Sequence, residues 1–179
     1  MSQTKLELWT VGHSTRPIEE FVEALRSFDI KVLVDVRSFP GSRRYPHFNR
    51  EQLKVSLPAA GIEYQHFPEL GGRRHSKTDS LNMAWRNKMF RGYADYMETD
   101  EFRDGVARLL SVARTGRTAI MCAEAVWWRC HRSLIADYLK AGHVEVIHIM
   151  APGKSEAHRF TSAARIVNGE LSYKGVLEA

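Results

Sequence analysis

The chain has 179 residues, 44% of them hydrophobic and 26% charged, with 12 Gly and 6 Pro. That balance excludes a disordered, collagen-like or coiled-coil polypeptide and suffices for a buried core in one domain spanning residues 1–179. No apolar run approaches the roughly 20 residues that cross a bilayer, Met1 to Lys5 lacks the apolar core of a secretory signal, and Cys122 and Cys130 are too few for a disulfide framework. A cytoplasmic protein with reduced thiols and no membrane partner is therefore expected.

Leu6 to Val11 alternates apolar and polar residues and stops at Gly12, which predicts a first strand. Thr15 is placed to cap a helix with Pro17, Glu19 and Glu20 in its first turn, and Ile18, Phe21, Val22, Leu25 and Phe28 keep a helical period. Lys31 to Val36 is short, β-branched and almost continuously apolar, as in a strand buried on both faces. The following loop carries Arg37, Arg43, Arg44, His47 and Arg50 with no acid, interleaved with Phe39, Tyr45 and Phe48. A short helix near Glu51 to Leu57 and a strand from Ile62 to Phe67 come next, then Gly71-Gly72 and a second basic cluster, Arg73 to Lys77. Ser80 to Thr115 reads as largely helical, broken where Thr99-Asp100-Glu101 supplies a fresh cap. Thr118 to Cys122 is a strand, Trp128 to Lys140 a helix ending before Gly142, and Val144 to Ile149 a strand. Asn168-Gly169, between Arg165–Val167 and Glu170–Tyr173, predicts a hairpin.

Strands alternating with helices predict an α/β fold: a mainly parallel sheet flanked by helices, with a small C-terminal β-hairpin. Ligands in such folds bind outside the carboxyl ends of the strands. The segments there are Gly12-His13-Ser14, Asp35 with Arg37 to Arg44, Glu69 to Arg74, and the dense run Cys122 to Arg132. With a helix starting near Trp128, Cys130, His131 and Arg132 fall in its first turn, where the macrodipole favours a thiolate or a bound anion.

Thr10-Val11-Gly12-His13-Ser14, Val34-Asp35-Val36-Arg37 with Pro40 and Ser42-Arg43, Leu70-Gly71-Gly72, Cys122-Ala123-Glu124 and Cys130-His131-Arg132 together resemble the domain-of-unknown-function 488 family, over Leu6 to Tyr173. The resemblance implies a compact bacterial or archaeal α/β protein and supports the site positions; it carries no reaction.

Three function classes follow. The first is an enzyme acting on an anionic, nucleotide-like small molecule. Cys122 would be its nucleophile, with Glu124 or His131 as acid or base. Arg37, Arg43 and Arg132 would hold anionic oxygens, and His13, Ser14, Asp35, Arg44 and Cys130 would complete the substrate site. Two analogies are weak: Trp128 stands where the cysteine phosphatase pattern has Arg, and the glycine-rich loop of rhodanese-type sulfurtransferases is missing. Against this class, Cys122 can be a small buried hydrophobe, Glu124 a structural partner of Arg37 or Arg132, and Trp127 and Trp128 core. The second class is a nucleic-acid-binding or -modifying module using the arginine and aromatic loops. The third is a thiol redox or metal site at Cys122, Cys130, His131 and His13, although Cys-x₇-Cys-His is not a familiar zinc spacing. Walker A, Gly-x-Gly-x-x-Gly and His-Glu-x-x-His motifs are absent, which argues against ATPase, dinucleotide and zinc-protease readings; no organic cofactor is implied and no metal ligands are assigned. The sequence leaves the oligomeric state open.

Overall fold

The computed structural model describes residues 4–175. Its strands are β1 (Glu7–Gly12), β2 (Val32–Asp35), β3 (Glu63–His66), β4 (Thr118–Cys122), β5 (Glu145–Ala151) and β6 (Lys154–Ala157). A separate hairpin pairs β7 (Arg165–Val167) with β8 (Glu170–Ser172). The helices are α1 (Ile18–Ser27), α2 (Arg50–Ala59), α3 (Lys88–Tyr96), α4 (Asp100–Thr115) and α5 (Arg132–Ala141). The sheet order is β3-β2-β4-β1-β5-β6, with β6 antiparallel and the other five strands parallel.

The period of two along each strand sorts the core onto two faces. Leu8, Val32, Val34, Ile120 and Cys122 pack against α3, α4 and α5, whereas Trp9, Leu33, Ala119 and Met121 pack against α1 and α2. The helices therefore cover both faces of a sheet whose central strands β2 and β4 are buried along their whole length. No described helix is long and apolar enough to cross a membrane.

Three local expectations are corrected, and one strand is added that the sequence reading did not contain. Thr15 is exposed and caps nothing: Pro17, with φ −59° and ψ 150°, precedes α1, so its fixed φ sets the helix start. The break expected at Thr99 does separate α3 from α4, but residues 80–87 are a loop and not helix, because Ser80 and Asn82 side chains bond the Asp95 carboxylate and α3 begins only where Asn87 caps Met89 N–H at 2.8 Å. Strand β6 carries no apolar alternation for a sequence reading to detect; it is a polar edge, blunted by Lys154 and Glu156.

The last correction concerns α5, which starts at Arg132 rather than Trp128. Trp127 is stacked on His148 with ring centroids 4.4 Å apart, and its Nε1 donates to Glu156 at 2.6 Å. These contacts draw the segment onto β5 and β6 as a single 3₁₀ turn. Cys130 is left extended, with φ −129° and ψ 152°, and His131 becomes the residue before the helix. The predicted caps at Thr99 and Gly142 form, and Asn168 and Gly169, with φ 52° and 80°, make the hairpin turn.

Candidate functional site

The chain leaves β1 and β2 toward one face of the sheet and β4 toward the other, so a crevice opens where β4 ends between them, as expected at a switch in strand order. It is a cavity of about 690 Å³. His13 and Ser14 come from the end of β1, Arg37 and Phe39 from the end of β2, and Cys122 to Glu124 from the end of β4. Arg129, Cys130 and His131 close it from the approach to α5, and Arg73 and Phe90 from the opposite rim.

One corner is a closed polar cluster. Asp35 is fully buried and accepts from Arg37 Nε at 2.9 Å, Arg37 Nη2 at 2.8 Å and Tyr64 Oη at 2.5 Å. Arg37 Nη2 also donates to the Phe48 carbonyl at 2.7 Å, and Nη1 donates to His13 Nε2 at 3.3 Å. These contacts use four of the five guanidinium N–H groups, leaving one Nη1 hydrogen on a residue that lines the cavity. His13 donates its Nδ1 proton to the Ser14 carbonyl at 2.8 Å, so Nε2 is the bare nitrogen. Burial and then the Arg37 charge lower its pKa to about 4, although the Ser14 bond opposes the shift.

The other corner holds the thiols and a second buried guanidinium. Arg132 is 1% exposed. Its Nε donates to Cys122 Sγ at 2.9 Å, Nη1 to Thr10 Oγ1 at 3.0 Å and Nη2 to the Glu124 carbonyl at 2.7 Å. A Cβ on Gly12 would lie 1.7 Å from that same carbonyl oxygen, so only glycine lets β1 pass so close. The Arg132 N–H points to Cys130 Sγ at 3.5 Å, and His131 Nδ1 lies 3.4 Å from that sulfur. His131 Nε2 meets the Val36 carbonyl at 2.9 Å; because a carbonyl only accepts, Nε2 carries the proton and Nδ1 faces Cys130 with a lone pair. Burial lowers the His131 pKa, which keeps the ring neutral. A Cβ on Gly72 would meet this ring at 2.6 Å, which accounts for the Gly71-Gly72 pair in the sequence.

The two thiols diverge electrostatically. Burial, then the hydrogen bond and charge of Cys130, push the Cys122 thiol far up. Burial also works against ionising Cys130, but the Cys122 hydrogen bond, the Arg132 charge and the Arg132 N–H outweigh it and bring that thiol down to about 7.

Seven of the residues singled out in the sequence line the cavity: His13, Ser14, Arg37, Cys122, Glu124, Cys130 and His131. Asp35 and Arg132 lie behind the wall, holding lining residues in place. Arg43 and Arg44 are exposed on the loop outside it, Arg44 over the Tyr45 ring at 5.8 Å. The Glu124 side chain is exposed, so Arg132 holds its backbone carbonyl and not its carboxylate. Trp127 is buried and Trp128 is half exposed.

The sequence reading gave no site role to Arg73 and Arg129, which stand in its strand-end segments and line the cavity, nor to Thr10 and His148, which continue the Arg132 contacts beneath it. The charge run at Arg73 and the placement of Arg129 among strand-end residues were the available signals. Among the described residues no three His, Cys, Asp or Glu side chains gather as metal ligands.

The family model described as Domain of unknown function DUF488 matches residues 17–139. No curated protein and no solved structure matches the chain.

Proposed function

This chain belongs to the DUF488 family, and from that premise we propose that it is an enzyme acting on an anionic small molecule through a thiolate, with Cys130 as nucleophile. The observation that carries this reading is the Cys130–His131 pair on the cavity wall: a sulfur 3.4 Å from an imidazole nitrogen whose tautomer is fixed by the Val36 carbonyl. His131 Nδ1 takes the Cys130 proton, and the thiolate attacks an electrophilic centre. The leaving group departs with the bonding electrons and receives that proton, because a buried imidazolium is a strong acid. Water then breaks the bond to sulfur, and in this reading Glu124, the one carboxylate among the described lining residues, accepts its proton.

Arg73, Arg129 and the spare Nη1 hydrogen of Arg37 supply donors for anionic oxygens, and Phe39, Tyr45 and Phe90 supply aromatic faces for a ring. A nucleotide-like substrate fits both. The nucleophile's role goes to Cys130 rather than Cys122 because Cys130 is the thiol that His131 Nδ1 faces, and the shifts run the same way, with Cys122 pushed up and Cys130 brought down.

Alkylation by iodoacetamide, followed at each cysteine by peptide mass spectrometry across pH, tests the reading. Cys130 is expected to react with a midpoint near 7, as its lowered pKa of about 7 requires, ahead of Cys122 and more slowly when ADP is present. First reaction at Cys122, or a Cys130 midpoint in the ordinary thiol range, overturns it. The two thiols held by the same residue, Cys122 by the Arg132 side chain and Cys130 by its N–H, favour one second reading, a dithiol that a disulfide such as oxidised glutathione converts to an internal disulfide, releasing two equivalents of reduced glutathione. A thiol count that stays at two after such treatment dismisses it.

A further inference from the structure

A second set of buried polar groups continues from Arg132 away from the cavity, between the sheet and α5. Thr10 Oγ1, which accepts from Arg132, lies 2.5 Å from His148 Nδ1. His148 Nε2 lies 2.8 Å from His158 Nδ1, and His158 Nε2 lies 2.8 Å from Asp137 Oδ1. Thr10, His148 and Asp137 are fully buried, and His158 is 3% exposed. Asp137 also accepts from Tyr173 Oη at 2.7 Å and from the Thr161 hydroxyl and N–H. With both rings neutral, the carboxylate end sets the order: a carboxylate only accepts, so His158 Nε2–H donates to Asp137, His148 Nε2–H donates to His158 Nδ1, and Thr10 donates to His148 Nδ1 while accepting from Arg132. Burial, then the His158 and Arg132 charges, drive the His148 pKa far down, in keeping with a neutral ring.

We propose that Thr10, His148, His158 and Asp137 form a one-way hydrogen-bonded chain of positioning residues that holds the Arg132 guanidinium against Cys122 and beside Cys130, and so sets the reactivity of the Cys130 thiol. None of the four lines the cavity. Their polar atoms are spent on one another, and the chain ends on the one ionic group of the set, whose negative end is turned toward the Arg132 cation through aligned, mutually polarising bonds. Lost alignment would let Arg132 swing from the sulfurs. The inference rests on the reading of Cys130 as the reactive thiol. The titratable and charged groups facing Cys130 are Cys122 from β4, His131 and Arg132 at the start of α5, and Tyr93 from α3.

The test compares Thr10→Val, which keeps the shape and removes the linking hydroxyl, with Thr10→Ser, which restores it. Alkylation of Cys130 is followed across pH. Thr10→Val should raise the midpoint by about one unit and slow reaction at neutral pH about tenfold, while Thr10→Ser stays near the wild type. A folded Thr10→Val protein with the wild-type midpoint overturns the chain and leaves the thiol reading intact. A second measurement needs no variant: nitrogen-15 NMR of the wild-type protein at neutral pH should find His148 and His158 both as neutral Nε2–H tautomers. An Nδ1–H tautomer or an imidazolium at His148 overturns the chain whatever Thr10→Val does. Conversely, a wild-type Cys130 midpoint in the ordinary thiol range overturns the thiol reading, and with it the chain's claim on reactivity, while the ring tautomers still decide whether the chain exists.

Discussion

Two buried arginines stand at the same cavity, Arg37 in its wall and Arg132 behind it, and their surroundings differ in one respect. Arg37 shares two hydrogen bonds with the Asp35 carboxylate, so its charge is neutralised where it stands. Arg132 has among the described residues no carboxylate in direct contact; its partners are a thiol, a hydroxyl and a carbonyl, and the nearest carboxylate along its hydrogen bonds is Asp137, two imidazoles beyond the hydroxyl. A closed ion pair gives rigidity to the strand ends and projects little field. An open cation at the same depth lends its charge to whatever sulfur lies beside it, and both thiols do raise the pKa of Arg132 against the effect of burial. The protein thus places scaffold at the end of β2 and electrostatic work at the start of α5.

The largest expected effect comes from opening the closed pair. Asp35→Asn leaves the Arg37 charge, 8% exposed, without its counter-ion and weakens the Tyr64 and Arg37 hydrogen bonds. Removing one partner of a buried pair costs about 3–5 kcal/mol, so the urea unfolding midpoint should fall steeply. The Cys130 alkylation midpoint should stay where it is, because its cation is Arg132. If stability holds while thiol reactivity shifts, the division of labour between the two corners is wrong.

A smaller effect tests what the corners share. In each, a neutral imidazole accepts the guanidinium's hydrogen bond, His13 directly from Arg37 and His148 through Thr10 from Arg132. Both pKa values are lowered by burial, so each ring binds its proton more readily in the unfolded chain than in the folded one. Stability from His13 is therefore complete above the unfolded value of 6.5 and is lost as pH falls toward about 4, with His148 adding to the loss over that window and below it. Each ring contributes a slope of up to about 1.4 kcal/mol per pH unit while only the unfolded chain is protonated. Urea unfolding from pH 7 to 4 should show this decline, and His13→Gln should flatten it. A stability that is level across that range would mean the rings are charged or solvated in the native state.

The contrast between the two arginines bears on what a sequence can show. The parallel sheet, the flanking helices and the hairpin were legible because local patterns carry them: the apolar run of β2, the helical period of α1, the Asn168-Gly169 turn. The strand-end rule located His13, Arg37, Cys122 and His131 around one crevice for the same reason. What stayed hidden depends on contacts distant in the chain. The start of α5 is set by Trp127 meeting His148 and Glu156, and Arg132 looks like a surface anion-binder until Thr10 is placed 3.0 Å from it by a neighbouring strand. Asp35 and Arg37 lie two residues apart, yet only the fold turns them toward each other with His13 as third partner.

Arg43 and Arg44 complete the comparison as arginines of neither kind. They are exposed and outside the cavity, and Arg44 lies over Tyr45 at 5.8 Å, a cation–π contact open to solvent. Water and salt screen such charges, so replacing both by alanine should change unfolding free energy by no more than about 0.5 kcal/mol. It should also leave the protection of Cys130 by ADP unaltered, since Arg37, Arg73 and Arg129 are the cavity's own donors. The same double variant decides the competing role of the basic loop. Single-stranded oligonucleotide bound by the wild type with a steep dependence on salt, and lost in the variant, would make these two side chains phosphate contacts, and the loop from Arg37 to Arg50 would then be a second binding surface beside the thiol pocket.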